Sequence, residues 1–117
     1  MLKRRTLFIL KKSNYKVLGV MSGTSLDGVD IVYANFILGK EWSFSILASQ
    51  TVSYSIYWEK KLSELLNSSI EIIIKENESY TCYLAEMILQ FIKVNNLFEI
   101  DAVCSHGHTL FHQPEKG

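Results

Sequence analysis

The chain has little of several things, and each shortage narrows what it can be. It has one proline, Pro114, three residues from its end, and neither an internal repeat nor a low-complexity stretch among its 117 residues. It has two cysteines, Cys82 and Cys104, 22 positions apart in segments that read as core. A disulfide framework needs more cysteines at closer spacing, so both are expected to be reduced, buried and inert. It has no net charge, because twelve basic residues balance twelve acidic ones. Nothing in that balance points to a nucleic acid. It also lacks a long apolar run at its start. The basic group Lys3, Arg4, Arg5, Lys11 and Lys12 flanks only Leu7–Leu10, which is too short for a signal-peptide core or a membrane span. Residues 1 to about 14 are therefore read as a tail, and the cytoplasm is the default location.

What is present is enough for a core: 48% of residues are hydrophobic and 12% aromatic. Val17, Leu18, Val20 and Met21 form a short apolar run that stops at Ser22-Gly23-Thr24-Ser25, which reads as a buried strand ending in a tight turn. After Gly28 the β-branched and aromatic residues Val29, Ile31, Val32, Tyr33 and Phe36 predict a second strand returning as a hairpin until Gly39-Lys40. The alternation of Trp42, Phe44, Ile46 and Ala48 predicts a third strand that continues toward Val52. Three such strands make an antiparallel meander.

Helical spacing follows. Trp58, Leu62, Leu65 and Leu66 predict a short amphipathic helix ending at Asn67-Ser68-Ser69. Ile70–Ile74 suits a helix or a strand, with helix favoured. Tyr80, Tyr83, Leu84, Met87, Ile88, Phe91 and Ile92 recur at three- and four-residue spacing, with Ser79 placed to cap a helix that Asn95-Asn96 ends. On this helix the aromatic residues read as core rather than as a partner-binding stripe, and Trp42 and Trp58 read likewise as core. Asp101-Ala102-Val103-Cys104 then reads as a buried strand, and a strand, a long helix and a strand imply a parallel crossover. With no helix after that last strand, the chain is expected to be the first part of a larger domain.

The chemistry sits in Ser22-Gly23-Thr24-Ser25-Leu26-Asp27-Gly28, a turn with two glycines, three hydroxyls and one carboxylate. Glycines let backbone N–H groups approach phosphate oxygens, hydroxyls add neutral donors, and Asp27 suits a Mg²⁺ held through water. The same composition also serves a hairpin turn with no ligand. A Walker-type loop does not fit. There is no Gly-Lys-Ser or Gly-Lys-Thr, and a strand rather than a helix follows.

Val17-Leu18-Gly19-Val20-Met21-Ser22-Gly23-Thr24-Ser25-Leu26-Asp27-Gly28-Val29-Asp30 resembles the opening signature of the anhydro-N-acetylmuramic acid kinases. Asp101-Ala102-Val103-Cys104-Ser105-His106-Gly107-His108-Thr109-Leu110-Phe111-His112-Gln113-Pro114 resembles the same family's Ser-His-Gly-Gln-Thr loop, with His108 where glutamine is usual. The resemblance runs from Tyr15 to Pro114. It implies an α/β fold of the actin-like ATPase and sugar kinase (ribonuclease H-like) class, with residues 15–117 as the N-terminal part of the first domain and the second domain absent. It implies ATP and Mg²⁺ as cofactors and phosphorylation of 1,6-anhydro-N-acetylmuramic acid in peptidoglycan recycling. By the same resemblance Gly23, Thr24, Ser25, Leu26, Asp27, Gly28, Val29 and Asp30 bind ATP, with Asp27 facing the metal. Thr109 and His106 face the sugar, and the family's general base lies beyond residue 117. A homodimer is the expectation for the full-length enzyme, with no nucleic acid or membrane partner. The alternative is a standalone nucleotide-binding or structural module without catalysis.

The three histidines, His106, His108 and His112, fall within seven residues and could form half of a metal site, but Leu110 and Phe111 between them suit a packed hairpin. His108 in place of glutamine keeps a planar side chain with donor and acceptor nitrogens and adds a proton that titrates near neutrality.

Overall fold

A computed structural model describes residues 13–22, 28–65 and 67–108. The elements run β1 (Asn14–Ser22), β2 (Gly28–Leu38), β3 (Trp42–Ser53), α1 (Ile56–Leu65), α2 (Ile70–Val94) and β4 (Ala102–His108). The strands form one mixed sheet in the order β3-β2-β1-β4. β1 and β2 pair antiparallel from Asn14↔Ile37 to Met21↔Asp30, and β2 and β3 pair antiparallel from Gly28↔Ser53 to Leu38↔Trp42. The expected meander is therefore present. β4 crosses to the far side of β1 and pairs with it in parallel, which a strand reached through two helices can do and a hairpin cannot. Most of the expected N-terminal tail, residues 1–12, lies outside the described residues.

Period-2 alternation sorts the strand residues between two unlike faces. Leu18 and Val20 of β1 and Val29, Ile31 and Tyr33 of β2 share one face and are buried against Trp58, Leu62 and Leu65 of α1 and Tyr80, Leu84, Met87 and Phe91 of α2. On the other face lie Tyr15 and Met21 of β1, Phe36 of β2 and Trp42, Phe44 and Ile46 of β3, by the register of the pairs. No described element covers this face, and Met21, Trp42, Phe44 and Ile46 are exposed there. Trp42, expected in the core, instead meets only the Tyr15 ring at 6.1 Å among the described ring contacts. A register shift opposite Tyr33 and Ala34 lets β3 change faces, so that Ala48 and Val52 pack toward the helices while Ile46 does not.

The helices start on serines. Ser55 Oγ accepts from the Trp58 N–H at 3.3 Å at the head of α1, and Ser69 Oγ accepts from the Ile72 N–H at 3.4 Å at the head of α2. Ser79, expected to cap, lies in the interior of α2, because Ile70–Ile74 continues into the later helix without a break. Two contacts favour this. Ile73 lies seven residues before Tyr80 on the core-facing stripe and packs against the core, and Lys61 of α1 pairs with Glu76 of α2 at 3.1 Å. Asn95 ends α2 by donating its Nδ2 to the Phe91 carbonyl at 2.9 Å, and Asn96 takes the left-handed φ of 53° that asparagine tolerates.

Both cysteines are exposed, contrary to expectation. Cys82 falls on the side of α2 away from Tyr80 and Leu84. Cys104 lies on β4, which is an edge strand among the described residues, with neither face covered. The link into β4 is fixed by polar contacts: Lys16 N–H donates to Asp101 Oδ2 and Asp101 N–H to the Lys16 carbonyl, each at 2.8 Å, and Tyr33 Oη donates to the Glu99 carbonyl at 2.6 Å.

Phe91 is 2% exposed and belongs to the core cluster that α2 shares with β1 and β2. Phe91→Ala should cost about 3–5 kcal/mol of unfolding free energy, measured by urea denaturation. A loss under about 1 kcal/mol would show that α2 does not pack on this face.

Candidate functional site

The site is set by what happens at the C-terminal end of β1. β1 and β4 run parallel, so their C-terminal ends point the same way, and Ser22 aligns with His108 across the pair after an irregularity between Val20 and Ser22. The segment that leaves β1 and the segment that leaves β4 therefore begin side by side. Of the residues expected to bind ATP, Gly23–Asp27 lie outside the described residues, as does Thr109. Gly28, Val29, Asp30 and His106 are described.

Gly28 opens β2 opposite Ser53, and a Cβ there would collide with the Val52 carbonyl oxygen. Only glycine lets β2 approach β3 this closely at the mouth of the turn. The Val29 side chain is fully buried and belongs to the core. Asp30 faces the opposite way: it is exposed, and its Oδ1 accepts from Thr51 Oγ1 at 2.5 Å across the β2–β3 pair. Asp30 and His106 are brought to the same recess, about 550 Å³ and open to solvent, on the helix-free face. Gly19, Val20, Met21, Val32, Cys104 and Ser105 complete its lining. No Cβ obstructs it at Gly19, where one would meet nothing within 4 Å. Among the described residues no group of three or more His, Cys, Asp or Glu is placed to hold a metal ion, and no described helix is long and apolar enough to cross a membrane.

Ser22, grouped by sequence with the hydroxyls that face a polyphosphate, turns inward instead. It is 1% exposed and shares a hydrogen bond with Tyr54 Oη, which in turn lies 2.8 Å from Tyr80 Oη. Tyr54 and Tyr80 meet edge-on at 6.2 Å, and Trp58 stacks on Tyr83 at 5.1 Å with 13° between the planes. Ser55 N–H donates to Tyr83 Oη at 3.0 Å. A buried aromatic and hydroxyl cluster thus lies under the point where the chain leaves β1. Tyr54 is not legible as part of this cluster from sequence, because a tyrosine at a strand end carries no spacing signal.

The model of the family described as anhydro-N-acetylmuramic acid kinase matches residues 15–117. The chain belongs to the anhydro-N-acetylmuramic acid kinase family. It is 30% identical over 106 residues to the anhydro-N-acetylmuramic acid kinase of Bacillus thuringiensis subsp. konkukian (strain 97-27), and the same identity holds for those of Bacillus cereus (strain AH820) and Bacillus anthracis (strain A0248). Each comparison covers 86% of this chain and 28% of the relative. The chain thus spans less than a third of the length of the curated relatives it matches. The family match includes the β1 and β4 ends that form the candidate site.

Burial raises the Tyr54 phenol well above its ordinary value of 10.0, with Tyr80 and Tyr83 adding in the same direction and the Ser22 hydrogen bond opposing. The folded state therefore favours the protonated phenol. The stability this contributes is complete below about pH 10 and is lost as pH rises beyond it toward the folded value. Melting temperature followed from about pH 9 to about pH 12 should fall more steeply for the wild type than for Tyr54→Phe. Identical slopes would show that Tyr54 ionises as freely folded as unfolded.

Proposed function

We propose that this chain supplies the phosphate-cradling segment of an ATP-dependent kinase. The enzyme would phosphorylate 1,6-anhydro-N-acetylmuramic acid on its 6-oxygen while water opens the anhydro bridge, giving N-acetylmuramic acid 6-phosphate in cytoplasmic peptidoglycan recycling. The observation that carries this reading is the parallel β1–β4 pair, in which Ser22 aligns with His108. It starts the nucleotide-type turn and the sugar-facing segment next to each other, as a transfer between two bound molecules requires. The strand order β3-β2-β1-β4, with a meander followed by helices and a parallel strand, supports an actin-like domain of the sugar kinase class.

The described residues fit such a role. Gly28 admits a close backbone approach at the turn, and the exposed Asp30 carboxylate places negative charge on the same recess as His106. In this reading Gly23, Thr24, Ser25 and Leu26 offer backbone N–H and hydroxyl donors to phosphate oxygens, Gly28 to Asp30 set the return path, and Asp27 faces Mg²⁺ through water. Thr109 and His106 orient the sugar. When bound, Mg·ATP supplies the transferable phosphoryl group with its charge partly neutralised. The general base and the adenosine pocket belong to the part of the kinase beyond residue 117, and a homodimer is the assembly proposed for the whole enzyme. Since the relatives are more than three times as long, these 117 residues would make one wall of the cleft.

Calorimetric titration of Mg·ATP into the chain and into a longer version that continues through the second domain, each beside Asp27→Ala, tests this. Binding by the longer form should weaken about tenfold or more in the variant, and the 117-residue polypeptide should phosphorylate no sugar. Equal affinity in Asp27→Ala would contradict the loop's role. ATP-dependent phosphorylation by the short polypeptide would contradict the need for a second wall.

A further inference from the structure

We infer that Tyr54 is a positioning residue: through its hydrogen bond to Ser22, backed by Tyr80, it fixes the end of β1 where that strand lies beside the end of β4. The inference rests on the reading of the β1–β2 turn as a nucleotide site.

Three observations carry it. Ser22 is the last residue of β1 and its side chain is 1% exposed. A hydroxyl withdrawn from water at that position needs a partner, and Tyr54 Oη provides one. Secondly, the three hydroxyls come from three separate parts of the fold. Ser22 ends β1, Tyr54 joins β3 to α1, and Tyr80 sits in α2, with Tyr54 7% and Tyr80 6% exposed. The chain of bonds thus references the strand end to both the meander's exit and the long helix, neither of which the β1–β2 ladder reaches. Thirdly, the parallel register breaks between Val20 and Ser22, where β1 meets His108 of β4. Ladder hydrogen bonds specify position least well at such an irregularity, so a side-chain anchor at Ser22 supplies the constraint the backbone gives up.

Packing alone would not need the hydroxyls. A phenylalanine at position 54 keeps the edge-on contact with the Tyr80 ring and the tilted contact with Tyr83 at 6.2 Å, but it leaves the Ser22 hydroxyl without the Tyr54 oxygen. A structural tyrosine and a positioning tyrosine therefore differ in where the loss is felt. Core damage loosens the whole domain evenly, whereas loss of the anchor loosens the end of β1 and its neighbours beyond the global change.

The experiment uses Tyr54→Phe, Ser22→Ala and their combination, beside Leu62→Val as a core control, since Leu62 is 2% exposed in the same cluster and belongs to neither candidate loop. Amide hydrogen exchange is read at Ser22, Gly28 and His108 and in the middle of β2, and Mg·ATP affinity is read in the longer version of the protein. Tyr54→Phe and Ser22→Ala should each speed exchange at Ser22 and His108 about tenfold beyond the change in mid-β2 and weaken Mg·ATP about tenfold. The double variant should be little worse than either single one. Leu62→Val should raise exchange evenly and leave Mg·ATP affinity as it was. The proposal is overturned if Tyr54→Phe behaves like Leu62→Val in both readouts. If the wild-type longer protein takes up no Mg·ATP, the nucleotide reading falls by itself. Exchange then decides the anchor alone: selective loosening at Ser22 and His108 upholds it, and even loosening overturns it.

Discussion

Everything placed at the candidate site depends on β1 being paired on both edges, antiparallel to β2 and parallel to β4. Hydrogen bonding on both sides holds β1, like β2, against shifting. The parallel partner decides which loops become neighbours, because parallel strands end on the same side of a sheet. A hairpin partner in place of β4 would carry the Cys104–His106 segment to the opposite end. The two stretches with chemical content lie about 80 residues apart in sequence, and this one pairing brings their starts together at Ser22 and His108.

The rest of the fold holds that pairing in place. α1 and α2 bury Leu18, Val20, Val29 and Ile31 on one face, so the alternation in β1 and β2 cannot slip by a residue without moving those side chains into water. The polar knot of Lys16, Asp101, Tyr33 and the Glu99 carbonyl fixes where β4 starts against β1. The opposite face carries exposed Met21, Trp42, Phe44 and Ile46 and, at its β4 side, the recess that Asp30 and His106 share. Among the described residues the sheet thus has one packed face and one apolar face left uncovered, in a chain that spans less than a third of the length of the curated relatives it matches.

Much of this was legible in the sequence because it depends on local rules. Apolar and β-branched runs broken at Ser22–Gly28 and at Gly39, with alternation from Trp42, announced the meander, and the spacing of Tyr80, Leu84, Met87 and Phe91 announced α2. The parallel strand followed from the long helix between strands. What escaped depends on tertiary context. The helix favoured for Ile70–Ile74 is present, but its continuity with the later helix escaped, since core contact through Ile73 and the Lys61–Glu76 pair join the two into one α2. Trp42 and Cys104 looked like core residues, but hydropathy cannot tell a buried face from a bare one. At the site, glycine and acid content pointed to the turn, whereas the inward direction of Ser22 and the partnership with Tyr54 required coordinates, since 32 residues separate the pair.

Paramagnetic mapping tests most directly whether the two segments form one site. The longer version of the protein, ¹⁵N-labelled, is titrated with ATP carrying Mn²⁺ in place of Mg²⁺, and the loss of each amide signal is followed. Broadening should begin at Ser22, Gly28 and Asp30 and extend across the β1–β4 pair to Cys104–His106, with α1 unaffected. Broadening centred instead on the groove between β3 and α2, lined by Gln50, Tyr83 and Gln90, or no selective broadening at all, would contradict the convergence of the two segments on a nucleotide.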